Sequence, residues 1–302
     1  MRIPRLPRPL LAVLLTGTLG VGAAGCSLPG GEGADDGTGL ERALDAVPAS
    51  AADRAVTYRD VPTVRRLVAE DPALYRSLDG FGILEVAQSG YTGRGVEADW
   101  GFDEKDVTAS VQVGDSSLLT GDFDTAAMGR ALKKQGYAEA GTEGGTRYTK
   151  RGGDITYEVS GSRRVANRAH ATLKLSEPDD SLRDDAAYAA VADCLGDVYE
   201  ATYYARRKDG DAELFAIGGR PPKKGRAPSE KLCVRAASPE AADAIVRQLR
   251  PKTRQGERYA SSEVRVTEDN MVTMAWRNRP KSGLRPGDND KTGELPNLLT
   301  WG

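Results

Sequence analysis

A chain of 302 residues, with 42 lysines and arginines against 44 aspartates and glutamates, is long enough for one large or two modest cores and carries a net charge of −2. The two signs are interspersed along its whole length, which leaves no basic footprint of the kind that binds nucleic acid. One histidine and three cysteines, none closely spaced, are too few ligands for a zinc site.

The chain opens with Arg2, Arg5 and Arg8 ahead of an apolar run from Leu10 to Ala24, then Gly25 and Cys26. A basic stretch, a short apolar stretch and small residues at the cut are the marks of a secretory signal peptide over residues 1–25. The run falls short of the roughly 20 residues that span a bilayer. The arginines are never adjacent, which disfavours a twin-arginine signal. Removing residues 1–25 takes away three arginines and no acid, so the charge moves from −2 to −5.

Ala23-Ala24-Gly25-Cys26 resembles the lipobox of bacterial lipoproteins, with Ala23 where leucine is commoner. The resemblance implies a diacylglyceryl thioether on Cys26, cleavage just before it, and acylation of the amino group so freed. Two acyl chains, of the palmitate type, would hold the protein on the membrane, where one chain binds only marginally. The expected location is the extracytoplasmic face of the cell membrane. No polybasic patch lies beside the anchor to assist it.

Ser27 to Gly39 has five glycines and almost nothing apolar, which predicts a flexible tether continuing to Ala52. It follows no strand and lacks Gly-Lys-Ser/Thr, so it is not a phosphate loop. A first α+β unit is expected over 53–178. Asp60 caps a helix with Pro62 in its first turn, and Asp71-Pro72 starts another. Residues 82–88 read as a strand, and 89–106 as an irregular stretch containing Trp100 and Phe102. From Asp106 to Val113 the alternation puts Val107, Ala109, Val111 and Val113 on one face of a strand. Leu118-Leu119 reads as a short edge segment. Asp124 caps a helix to about Gln135, with Phe123 and Met128 as a hydrophobic staple. Strands are expected at 146–149, 154–160 and 169–175.

Glu177 to Asp180 is the expected boundary to a second α+β unit over 179–277. Ser181 to Asp184 resembles a capping box, and Ala187, Val191, Cys194 and Leu195 share a helix face. Strands at 198–205, 213–218 and 231–236, a helix from Ser238-Pro239 and strands at 262–267 and 271–277 follow. Each unit reads helix, two or three strands, helix, two strands, which suggests a repeat of one α+β fold with helices packed on antiparallel sheet. Chance similarity of order is the alternative. Residues 278–302 read as an extended tail with Leu295, Leu298, Leu299 and Trp301 docked on the body.

With Cys26 assigned to the lipid, Cys194 and Cys233 form an even pair in an exported chain, and a disulfide between them is expected. Two buried free thiols are the alternative.

The chemistry-bearing residues carry no recognised catalytic or cofactor motif. His170 falls on the polar face of its predicted strand, beside Thr172 and Lys174, and no Gly-x-Ser-x-Gly elbow accompanies it. Glu97/Asp99 and Asp103/Glu104 lie near Trp100 and are the carboxylate pairs a glycoside hydrolase would need. Asp288 to Gly293 imitates the start of a calcium loop, but its twelfth position is Leu299. The basic loop of Arg220, Lys223, Lys224 and Arg226 suits either solvent or an anionic envelope partner.

In composition alone, the part after Cys26 resembles uncharacterised lipoproteins of high-GC actinobacteria. The reading is a lipid-anchored, non-catalytic binding module without cofactor, facing an envelope protein or polymer. An envelope-directed hydrolase acting near Trp100 and a solute-binding lipoprotein of a transporter are the alternatives.

Overall fold

The computed structural model describes residues 37–78, 99–168, 172–205, 210–222, 227–255, 257–260, 262–279, 284–288 and 293–301. Its first element lies where composition predicted tether. Thr38 accepts from the Glu41 amide, and the Glu41 carboxylate accepts from the Thr38 amide, which caps helix α1 (Gly39–Asp45). Leu40 and Leu44 of α1, with Val47 and Ala51 beyond it, are almost fully buried. The expected tether is therefore corrected: glycine content hid a capping box followed by apolar residues at helical spacing, and residues 37–52 belong to the folded body.

Strand β1 (Val56–Asp60) follows, and Asp60 both ends it and caps α2 (Val61–Glu70) by accepting from the Thr63 amide. Asp71 restarts the chain as the short α3 (Pro72–Tyr75). The expected strand at 82–88 lies outside the described residues. Strands β2 (Val107–Val113) and β3 (Ser116–Gly121) form a hairpin whose register shifts between Val107 and Ala109. This bulge corrects the single-face reading of β2. Val107 packs with Leu119 on one face of the sheet, whereas Val111 and Val113 pack on the other. Gly121 permits it, because a Cβ there would collide with the Asp106 carbonyl. Strand β3 is an interior strand, fully buried from Ser116 to Leu119, and not an edge segment.

Asp124 caps α4 (Thr125–Lys134), and the expected staple partners Phe123 and Met128 share one core cluster. Strands β4 (Ala138–Thr142), β5 (Gly145–Thr149), β6 (Ile155–Val159) and β7 (Arg163–Arg168) come next. Of the strand expected at 169–175 only 172–175 lie among the described residues; they form no strand, and Asn167 holds them by bonding Leu173 through both its amide and its carbonyl oxygen. The Ser181–Asp184 capping box closes on a 3-10 turn, and the helix proper, α5 (Ala186–Leu195), takes Asp185 as its cap. Strands β8 (Glu200–Tyr204), β9 (Ala212–Arg220) and β10 (Ser229–Ala236), helix α6 (Pro239–Leu249), and strands β11 (Glu263–Val266) and β12 (Met271–Arg277) complete the run. The tail is not simply extended: it ends in helix α7 (Glu294–Trp301), with Leu295 buried against the α6 cluster and Leu298 and Leu299 packed beside it.

The protein is an α+β fold. Among the described residues the strands form one antiparallel sheet in the order β11-β12-β10-β9-β8-β1-β2-β3-β7-β6-β5-β4. The two expected units are thus one body, because β1 pairs with β8 at the centre in register from Val56–Tyr203 to Arg59–Glu200. Within it the repeat is plain. One half runs α1-β1-β2-β3-α4-β6-β7, the other α5-β8-β9-β10-α6-β11-β12, and each lays its strands in the same relative order. Helices α2 and α3 and the β4–β5 hairpin are additions to the first half. Helix α1, which composition had suggested was tether, is the counterpart of α5.

Alternate residues of each strand face opposite cores, as the pleat requires. Helices α1 and α5 pack on one face over Tyr58, Val111, Leu118, Ala201 and Leu214. Helices α2, α3 and α4 pack on the other face over Leu119, Tyr157 and Ala166, and α6 over Phe215, Leu232 and Met274. The doubly lobed parallel architecture of the transporter reading is absent from this antiparallel sheet.

Candidate functional site

The face of the sheet that carries α1 is only partly covered. Gly39, Arg42, Ala43 and Ala46 repeat at the helical spacing and turn one side of α1 toward a cleft of about 670 Å³. The strands supply its floor at every second position: Tyr58 and Asp60 from β1, Ala109 and Val111 from β2, Leu118 and Thr120 from β3. Arg163 of β7, Thr63, Thr108 and Asp197 form the rim. Beyond Arg42 and Arg163 a second hollow of about 340 Å³ continues past Asp45, Glu177 and Asp184.

Several polar groups around the cleft are held in place. Asp60 accepts from the amide and hydroxyl of Thr63, both at 3.0 Å. Arg163 donates to the Leu175 carbonyl at 2.9 Å and to Glu177 at 2.8 Å. Thr108 donates to the Thr120 carbonyl at 3.1 Å. The Tyr58 ring is buried, and burial raises its hydroxyl above the ordinary phenol range, with Asp60 and Asp197 adding to the effect and Arg42 opposing it. Its hydroxyl rests where a Cβ on Gly39 would have to be, so glycine at the start of α1 sets how closely the helix approaches the sheet. Glu41, bonded to the Thr38 amide and paired with Arg183 at 2.5 Å, is held below the usual carboxylate range by those partners, the amide foremost.

The second half of the repeat supplies an internal comparison. Helix α5 has ten residues to the seven of α1. Its last turn is joined to β10 by the Cys194–Cys233 disulfide, with Cα atoms 6.2 Å apart. Lys231 donates to the Cys194 carbonyl at 2.5 Å, where the negative end of the helix favours a cation. A hollow of about 620 Å³ lies outside this staple, but its walls are Asp193, Lys231, Glu263, Arg265 and two threonines. Beside α1 an almost buried apolar floor meets Arg42, Asp60, Arg163 and Asp197, whereas the hollow beside α5 has mainly charged walls.

Of the residues picked from sequence, Cys194 and Cys233 are brought together. Cys26, Glu97, His170, Lys223, Lys224 and Arg226 lie outside the described residues. Among the described residues, Trp100 opens onto no cleft of acids. It covers the almost fully buried Arg164, whose guanidinium also lies 5.1 Å from the Phe102 ring and 4.8 Å from the Tyr157 ring. Asp103 and Asp106 form a reciprocal capping box around the turn that contains Glu104. The Asp99 carbonyl accepts from Gln135. Asp288 spends its carboxylate on Ser77 and the Arg285 amide. Arg220 donates to the Leu195 carbonyl at 3.4 Å. The residues that sequence reasoning missed are those of α1, and Thr38-x-x-Glu41 ahead of Ala43 and Leu44 was the signal that could have found them.

No family model matches this sequence, and no curated protein does. Among solved structures, crystal form I of TP0453 aligns with a TM-score of 0.41 at 10% identity over 80% of this chain and 95% of the other. Crystal form IV of TP0453 aligns at 0.42 and 9%, over 79% and 95%.

Proposed function

We propose that the chain is a lipid-anchored, extracytoplasmic binding module, attached through Cys26 to the outer face of the cell membrane and holding its ligand between α1 and strands β1–β3. The observation that carries this reading is the cleft beside α1, ringed by fixed polar groups, in a position where the counterpart helix α5 is stapled to the sheet. A pocket with a mostly apolar base and a few fixed polar groups is the usual form of a ligand site.

The anchor is tested by replacing Cys26 with Ala and fractionating cells. The expected result is release into the medium or accumulation of the uncleaved precursor. A mature, membrane-bound Cys26→Ala protein would overturn the anchor. The site is tested by Ala109→Trp, which narrows the cleft and should lower retention of ligand co-purified from intact cells; equal retention by the folded variant would overturn the site.

A further inference from the structure

Among the described residues no strand lies beyond β11, which forms one edge of the sheet. It pairs with β12 from Glu263–Ala275 to Val266–Val272, and the Thr267 amide extends the ladder by donating to the Met271 carbonyl at 2.8 Å. Opposed residues of an antiparallel ladder alternate between exchanging both backbone bonds and exchanging none. Counting back from Thr267, Arg265 and Glu263 spend their backbone groups on β12, and Val264 and Val266 aim theirs outward. The side chains alternate too. Glu263 and Arg265 line the hollow beside α5, whereas Val264 packs against the α6 cluster. Val266 shares the face of Val264 but lies 47% exposed, the one large apolar side chain left so open among the described residues.

The order of charge along this edge selects its partner. Glu263-Val264-Arg265 reads acid, apolar, base. Turned end over end about Val264, as a twofold axis would turn it, the segment meets itself with Glu263 opposite Arg265 and Arg265 opposite Glu263. The backbone agrees with the charges. Val264 is a residue whose amide and carbonyl face outward, so two copies of it can exchange both bonds. A register centred on Glu263 or on Arg265 would set like charges face to face and turn the central backbone groups away. In the favoured register Val266 lies diagonal to Val264 of the second copy, on the same face, and is covered. Glu263 and Arg265 already pair along their own strand, but both are about two-thirds exposed, where an ion pair is worth little, so sharing it across a seam costs little. Charges on an edge strand ordinarily deter pairing; alternating signs deter the neighbouring registers and leave the self-complementary one. We propose that β11 is a self-association edge: two copies of the chain pair β11 to β11, antiparallel about Val264, and their sheets become continuous.

The test is sedimentation equilibrium of the chain from Ser27 on, which keeps the whole body described above. The expected result is a reversible dimer whose share rises through roughly 10–100 µM, as suits a seam of one short strand. Glu263→Arg and Arg265→Glu each put like charges across the seam, and each should weaken dimerisation about tenfold or more, equivalent to about 1.4 kcal/mol. Mixed together, the two variants should associate as the parent does, because the basic edge of one meets the acidic edge of the other. The double variant Glu263→Arg/Arg265→Glu restores self-complementarity and should dimerise again. Ala140→Arg, on the opposite edge strand β4, should change nothing. Both charged positions are exposed, and thermal unfolding of each variant identifies any that fails to fold. A parent that stays monomeric to about 1 mM overturns the proposal. So does undiminished dimerisation of the folded single variants, a mixture that does not associate, or a loss caused by Ala140→Arg. The assay needs neither the anchor nor a cleft ligand, so its outcome is independent of the binding reading.

Discussion

The Ser77 hydroxyl donates to Asp288 at 2.5 Å across 211 residues of sequence. This bond ties the C-terminal tail to the end of α3, in the first half of the repeat. The neighbouring Gly287 amide donates to Glu230 of β10, in the second half, at 3.1 Å. Glu230 is almost fully buried and also accepts from Trp276 and Asn278. Two adjacent tail residues therefore brace both halves. Asp288→Ala should lower stability by about 1–2 kcal/mol, because it strands the buried Ser77 hydroxyl and the Arg285 amide. A urea midpoint unchanged from the parent would refute the brace.

The disulfide closes a loop with a sequence separation of 39. On the chain-entropy account it contributes roughly 3–4 kcal/mol. Cys194→Ser/Cys233→Ser should unfold at correspondingly lower denaturant, and thiol labelling of the denatured, unreduced parent should find neither cysteine. Labelling at either position would contradict the staple on which the comparison of the two halves depends.

Glycine to alanine near a helix start is usually harmless or stabilising. Gly39→Ala should do the reverse, by about 1–3 kcal/mol, because the new methyl collides with the buried Tyr58 hydroxyl. Tyr58→Phe removes the colliding atom, so Gly39→Ala should cost less in that background. A double-mutant cycle with no coupling would show that α1 approaches the sheet in some other way.

Glu41 gives α1 a dependence on acid. Its carboxyl in the folded protein lies below the ordinary value of 4.5, so folding favours its ionised form. That contribution is present above the ordinary glutamate range and is lost as pH falls through the depressed value. The melting temperature of the parent should exceed that of Glu41→Gln at neutral pH, and the two should converge on acidification below 4.5. A constant gap down to strong acid would mean that the carboxylate's charge is not what the Thr38 amide and Arg183 hold.

Much of the architecture could be read from the sequence, and the failures have physical causes. Caps at Asp60, Asp71, Asp124 and Ser238 are local, since one side chain meets an amide two or three residues on, and local chemistry survives in sequence. Cysteine parity identified the disulfide. The bulge after Val107 was hidden because it depends on Gly121 meeting the Asp106 carbonyl, a contact made only once β3 folds back. The single sheet was hidden for a stronger reason: nothing in β1 announces that its second edge will be filled by β8. The cleft escaped because it is a property of α1 being short relative to α5, which only a comparison in space exposes.

The central pairing has a further consequence for how the protein comes into being. Thr57 and Thr202 face each other across the β1–β8 seam at a sequence separation of 145. A chain is synthesised from its N-terminus, so β1 can acquire β2 as a neighbour long before residues 200–204 are available. Until they arrive, one edge of β1 offers unpaired amides and carbonyls to any passing strand. The first half is therefore open to aggregation until the rest of the chain is made, and folding ends with a slow long-range closure of the seam.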